Sequence, residues 1–250
     1  MPPSRNRATL SSFLAAATVL ALAACTNATV TAPAWGEPLD AVKNAAERLA
    51  GGVSFQGWLT VGGDTLSVHG DDIPAEDKLR HYQQLSGSGG SLTTEVRFIG
   101  SDAWMRVVTP EADTGWGHFG EAGTIRDTSG VVGPSTWLPL LLDEVIEIER
   151  DGDRTYAGVL DFDAVDVEGN GLGRSLSNSL GGDAEEVEFS VLLNKDGTVN
   201  TVKYEIENTE FGDIEVMYSF SLHGAPNDVT TPDGKIVEIE DNALEWFGGL

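Results

Sequence analysis

Apolar and polar residues alternate through most of the chain beyond residue 52, which is the pattern of β-strands with one buried face. Phe55, Gly57, Leu59 and Val61 share one face of the first strand, and a Gly-Gly-Asp turn leads into a second strand that carries Leu66. The same period predicts further strands at residues 78–85, 96–98, 103–108, 145–150, 155–162, 187–193, 202–207 and 214–222. Together these segments predict about ten strands in hairpin order.

Three segments interrupt the alternation. The first is a helix that begins at Pro38 and ends at Gly51-Gly52, with apolar positions at 39, 42, 46 and 49. The second is a short leucine-rich helix at 137–143, with Pro139 in its first turn. The third, 170–182, spaces its leucines by four but is rich in glycine and serine, so it is either a weak helix or a mobile loop.

We therefore expect a mainly β (α+β) fold: a single antiparallel sheet that curls to cover its apolar face, with the helices lying on that face. Residues 37–250 contain no internal repeat and no change of composition, so they predict one domain.

The N-terminus has the layout of an export signal. Arg5 and Arg7 precede an uncharged run from Leu10 to Ala24. This run is shorter than the roughly 20 residues that a transmembrane helix needs. The run ends in Leu-Ala-Ala followed by Cys25, the only cysteine of the chain, and this ending resembles the lipobox of bacterial lipoproteins. That resemblance implies a signal peptide at 1–24, a diacylglycerol-modified Cys25 and a flexible tether at 25–36. An ordinary signal peptide with a chance cysteine, or a short membrane anchor, is the alternative.

The net charge limits the classes of partner that the exported domain can bind. Residues 1–24 contain two of the 15 basic residues and no acid, so their removal changes the net charge from −25 to −27. A surface of this acidity repels phosphate backbones and anionic lipid headgroups. We expect no nucleic-acid partner, and attachment to the outer face of the cell membrane through the acyl chains on Cys25.

The usual signatures of catalysis and metal binding are missing from the sequence. The four histidines do not have a metal-ligand spacing, no nucleophile elbow is present, and no cysteine remains for a disulfide or a thiol nucleophile. The acids Asp161, Asp163, Asp166 and Glu168 leave calcium binding open, although a solvated strand edge explains them as well. We expect no enzyme activity, no metal and no cofactor.

Apolar and aromatic residues on the predicted strands and the short helix are the remaining candidates for function. Some of them are expected to line a ligand cavity between the sheet and the helices, and the others form the core. The candidates are Phe55, Leu59, Leu66, Val96, Phe98, Trp104, Trp137, Leu141, Phe189, Val191, Val216, Tyr218 and Phe220.

The order of these elements resembles the LprG/LppX-type actinobacterial lipoproteins, relatives of the LolA-like lipoprotein carriers. The resemblance lies in the lipobox, the tether, the first helix, the stretch Glu-Val-Arg-Phe-Ile-Gly-Ser-Asp-Ala-Trp-Met-Arg at 95–106, Trp116, and Asp-Val-Thr-Thr-Pro at 228–232. It implies a half-open β-barrel, spanning 37–250 here, whose helices cover the concave face and close a hydrophobic cavity for acyl chains. Segments 134–143 and 170–182 would form its lid. The expected function is non-catalytic lipid binding or transport at the cell envelope, and the alternative is a sensor or scaffold that binds an envelope protein through the same sheet.

Overall fold

The computed structural model describes residues 37–61, 64–87, 90–120, 131, 133–161, 186–209, 212–221 and 228–239. The signal peptide, Cys25 and the tether lie outside these ranges, as do segment 170–182, His223 and the acids at 163, 166 and 168. The predictions made for them remain predictions.

One twelve-stranded sheet dominates the described residues and confirms the mainly β expectation. Its strands in chain order are β1 (Val53–Val61), β2 (Asp64–Ile73), β3 (Lys78–Gly87), β4 (Gly90–Ile99), β5 (Asp102–Val108), β6 (Trp116–Phe119), β7 (Val145–Arg150), β8 (Thr155–Leu160), β9 (Val187–Leu193), β10 (Val199–Thr209), β11 (Gly212–Ser221) and β12 (Ile236–Glu238).

Two antiparallel meanders meet in the middle of this sheet. The spatial order is β12-β6-β5-β4-β3-β2-β1-β11-β10-β9-β8-β7, so β1 to β6 run outward in one direction and β7 to β11 return from the opposite edge. Strand β12 adds to β6 as a parallel partner. The sheet is open, because its end strands β7 and β12 do not pair with each other, and it is not strongly curled, so the expected curling into a half-open barrel is not found. Strong curling is therefore unnecessary for covering the apolar face, which the helices help to bury.

Two α-helices accompany the sheet in the described part of the chain. The helix α1 (Pro38–Glu47) begins at Pro38 as predicted, continues into a 3-10 turn at Arg48–Gly51, and is ended by Gly52 with a φ of 101°. The helix α2 (Pro134–Asp143) begins three residues earlier than predicted, so Pro139 lies in its interior rather than in its first turn. Its start is set by Pro134, and an interior proline leaves the carbonyl group four residues before it without its helical donor.

Burial alternates along the strands and defines an inner and an outer face. On β9 the residues Val187, Phe189, Val191 and Leu193 are buried, while Glu188 between them is exposed. Directly opposed residues point to the same face of an antiparallel pair, so the strand registers assign residues of the whole sheet to one face or the other. We call the buried side, which contacts α2, the inner face.

Candidate ligand-binding face

Two glycines on β1 and β2 let aromatic rings lie close to the backbone on the inner face. Gly57 lies opposite Tyr218, and a Cβ atom on Gly57 would come within 2.6 Å of two Tyr218 ring carbons. Gly70 lies opposite Phe55, and a Cβ atom there would come within 2.7 Å of the Phe55 ring and 2.0 Å of a backbone oxygen. The small residues therefore create the hollows in which these two rings rest.

An aromatic cluster forms where α2 crosses the middle of the sheet. The ring centroid of Trp137 on α2 lies 4.9 Å from that of Tyr218 and 6.2 Å from that of Phe220. Phe220 in turn is paired with Phe55 across β11 and β1. Tilted ring pairs at these distances add to the free energy gained from burial. This cluster joins the leucine-rich helix to the strands that meet at the centre of the sheet.

Polar contacts hold α2 at both ends. At its N-terminus the carboxylate of Asp72, on β2, accepts hydrogen bonds from the Ser135 backbone N–H (3.1 Å) and the Ser135 hydroxyl (2.5 Å). At its C-terminus Asp143 pairs with Lys43 of α1 at 2.6 Å. A strand residue thus supplies the N-terminal cap that the local residue Gly133 cannot supply.

His81 is a polar exception on the inner face. It lies opposite Gly70 and Val96, its ring centroid is 6.0 Å from that of Phe55, and its Nδ1 atom is buried without a hydrogen-bond partner. Burial, together with the nearby His69, lowers the pKa of His81 to about 4, so the ring is uncharged at neutral pH. The inner face therefore contains one neutral polar group whose hydrogen-bonding capacity is unused at Nδ1.

The predicted candidate residues are mostly buried. Only Leu59 and Leu66 are half-buried; the remaining eleven are buried. Apart from Trp104, they form three groups: Val96 and Phe98 on β4, the central cluster on β1, β2, β11 and α2, and Phe189 and Val191 on β9. Six strand spacings separate β4 from β9, so these residues form a band across the sheet rather than one compact pocket.

Trp104 lies on the other side of the sheet. The register pairs Trp104 with Arg97 and His118, whereas Phe98 pairs with Ala103. Trp104 stacks on His118 at 5.0 Å, and the Arg97 guanidinium lies 4.8 Å from the ring centroid of Trp116 on this same outer face. The assignment of Trp104 to the cavity lining therefore does not fit the strand register, although the residue is buried.

Several buried residues of the inner face were not among the candidates. Leu138 and Leu142 are fully buried on α2, and the helical spacing of four could have identified them. Tyr204 on β10 is buried, and burial raises its pKa, as it also does for Tyr218. No local sequence pattern identifies Asp72 or His81, because the contacts of each side chain are with residues that are distant in sequence.

Within the described ranges no group of three or more His, Cys, Asp or Glu side chains could hold a metal ion. No helix of that part of the chain is long and apolar enough to cross a membrane. Neither a protein-family model nor a curated protein matches the chain.

Proposed function

We propose that this protein is a membrane-anchored lipoprotein that binds or carries a lipid through its inner sheet face, without catalysis. The observation that carries the proposal is the continuous apolar band of the inner face, with its aromatic cluster lying under α2. The export signal and Cys25 of the sequence support placing this band near a bilayer.

The energetic argument rests on the acyl chain. Moving about 15 methylenes through water costs on the order of 12 kcal/mol, at roughly 0.8 kcal/mol per CH2. An apolar surface removes most of this cost if the chain lies along it. A band that extends across several strands suits an elongated ligand better than a compact one.

Ligand entry requires movement of α2, because the inner-face residues under this helix are buried. The helix is attached by polar contacts at its ends and by apolar contacts of Trp137 in between. A small cavity of about 160 Å³ lies at its N-terminus, lined by residues that include Leu79, Val131 and Ser135. This volume is below that of typical ligand pockets, roughly 300–1,000 Å³, so this cavity alone does not accommodate an acyl chain.

The tether sets where the ligand is exchanged. Eleven residues separate Cys25 from Glu37, and fully extended they reach roughly 35 Å. The acyl chains on Cys25 would therefore hold the domain within reach of the membrane surface. In this proposal the anchor and the apolar band act together: one limits diffusion, and the other accepts the transferred chain.

A second candidate function is the sensor or scaffold that binds an envelope protein. One observation favours it: the three-residue edge strand β12 has Ile236 and Val237 exposed by 38 % and 45 %. An exposed edge strand offers free backbone groups to an added strand of another protein. Crosslinking that captures one specific membrane protein at this edge, with no bound lipid, would support this function over lipid transport.

The proposal is tested by mass spectrometry of the full-length protein purified from the membranes of its own host. Spectra recorded under native and denaturing conditions separate the covalent anchor, which remains in both, from a non-covalent lipid, which is lost on denaturation. We expect an additional lipid mass only under native conditions. Identical spectra in repeated preparations, together with no uptake of a fluorescent fatty acid, would refute lipid binding.

A further inference from the structure

A groove on the outer face of the sheet, of about 490 Å³, lies where β2, β1 and β11 run side by side. Its volume falls within the range of typical ligand pockets. The outer-face residues that line it are Ser54, Gln56, Trp58, Ser67, His69, Ser219 and Ser221, and the residues between them on the same strands, Phe55, Gly57, Val68 and Phe220, line it as well. The side chains of the first seven residues point away from the apolar band, so a ligand bound among them would not occupy the place of a lipid on the inner face.

Side-chain size explains the shape of this groove. In the register, Gln56 lies between Ser219 and His69, and Ser54 lies opposite Ser221. Serines leave a low floor in the middle of the groove. The walls come from larger residues, since Trp58 lines one end and His69 is stacked on Tyr82 with centroids 4.3 Å apart.

Hydrogen-bonding groups in the groove are available to a ligand. Ser54 donates to Asp71 at 2.6 Å and Ser67 donates to a backbone oxygen at 3.4 Å, but Gln56, Ser219 and Ser221 make no side-chain hydrogen bond within the described chain. Hydroxyl and amide groups can both donate and accept. Partial burial and the nearby Arg80 lower the pKa of His69, so at neutral pH its ring also has one donor and one acceptor.

The lining of the groove carries no formal charge. None of its residues is Asp, Glu, Lys or Arg, although charged residues make up 22 % of the chain. An ionic ligand would lose hydration here, and the carboxylate next to the lining, that of Asp71, is buried and already accepts a hydrogen bond from Ser54. The suitable ligand is therefore neutral and polar, with many hydroxyl groups and some apolar surface for Trp58, which is 37 % exposed.

From these features we propose that the groove binds a neutral oligosaccharide. Vicinal sugar hydroxyls match the serine, glutamine and neutral histidine groups, and the C–H surface of a sugar ring matches the electron-rich face of an indole. A peptide fits less well, since the groove lies in the middle of the sheet, where the backbone groups are already paired and offer no strand edge.

The test uses saturation-transfer NMR on the full-length protein in a sugar-free phosphocholine detergent. The probes are maltotriose, cellotriose, mannotriose and chitotriose, with trigalacturonate as the charged comparator. We expect transfer to at least one neutral trisaccharide, and little transfer to trigalacturonate. Trp58→Ala should weaken binding of that trisaccharide by at least about tenfold, as is typical when an aromatic anchor is truncated.

Two further variants make the test specific. Ser219→Phe should fill the floor of the groove and abolish transfer, while Ile146→Ala, at an exposed position on the edge strand β7, should leave it unchanged. Circular dichroism of each variant verifies folding. Absence of transfer to every neutral probe, preferential binding of trigalacturonate, or binding that persists in both Trp58→Ala and Ser219→Phe would overturn the proposal. None of these outcomes bears on lipid binding by the inner face.

Discussion

The ring of Tyr218 occupies the space that a side chain on Gly57 would fill, across the junction of β1 and β11. This junction joins two meanders that are far apart in sequence, so the fit between the two residues is a long-range feature of the core. It also places Tyr218 under Trp137 of α2.

Gly57→Ala should therefore destabilise the fold. The added methyl group would meet two ring carbons at 2.6 Å and a backbone oxygen at 3.1 Å, so either the ring or the strand must move. Overpacking of this kind typically costs about 1–3 kcal/mol, measurable by urea denaturation. The matched control is Gly51→Ala, since no atom lies within 4 Å of a Cβ at that position. Equal stability of the two variants would contradict the close approach of Tyr218.

Asp72→Ala should loosen the N-terminus of α2. The variant removes the acceptor for the Ser135 backbone N–H and hydroxyl, and loss of a helix cap typically costs about 0.5–2 kcal/mol. We expect faster amide hydrogen exchange in α2. Asp143→Ala at the other end of the helix is the control: its ion pair with Lys43 is exposed and should contribute at most about 1 kcal/mol. An exchange rate in α2 that is unaffected by Asp72→Ala would exclude this capping role.

His81 should make the fold less stable in mild acid. Its pKa is about 4 in the folded protein against 6.5 for an ordinary histidine, so the unfolded chain binds the proton more readily. The stabilisation from a neutral His81 is present above pH 6.5 and is lost as the pH falls toward 4. At about pH 5 the loss amounts to about 2 kcal/mol.

His81→Leu isolates this effect from the titration of carboxylates. The variant should be at least as stable as the wild type at neutral pH, because it removes an unpaired buried nitrogen, and its stability should fall less between about pH 7 and pH 5. Denaturant midpoints across this interval provide the measurement. His69→Gln removes only the smaller of the two causes that lower the His81 pKa, since burial is the larger, so it should retain most of the wild-type slope. Parallel slopes for wild type and His81→Leu would show that the residue does not titrate as expected.

Local patterns in the sequence predict much of the sheet, because alternation depends only on neighbouring residues. The placement of Trp104 could also have been derived from the sequence. A two-residue turn at Gly100-Ser101 puts Ala103 opposite Phe98, and therefore Trp104 opposite Arg97 on the other face. The contact of Gly57 with Tyr218 could not be derived, because it depends on the register between β1 and β11. No short turn connects these two strands. The degree of curling is likewise a property of all strands together, so alternation along single strands does not predict it.

Trp137 and Trp104 offer a matched test of which face binds the lipid. Each is 6 % exposed, but Trp137 covers the inner face and Trp104 packs on the outer one. Burial of a large side chain contributes about 1.5–3 kcal/mol, so Trp137→Ala should weaken binding of a fluorescent fatty acid by about tenfold or more. Trp104→Ala removes the same volume and should leave the affinity of the folded protein nearly unchanged.

Because both variants lose core packing, the affinity is compared at a temperature where both remain folded by circular dichroism. Equal losses of affinity would mean that the effect comes from general destabilisation, and a loss confined to Trp104→Ala would place the acyl chain on the outer face instead.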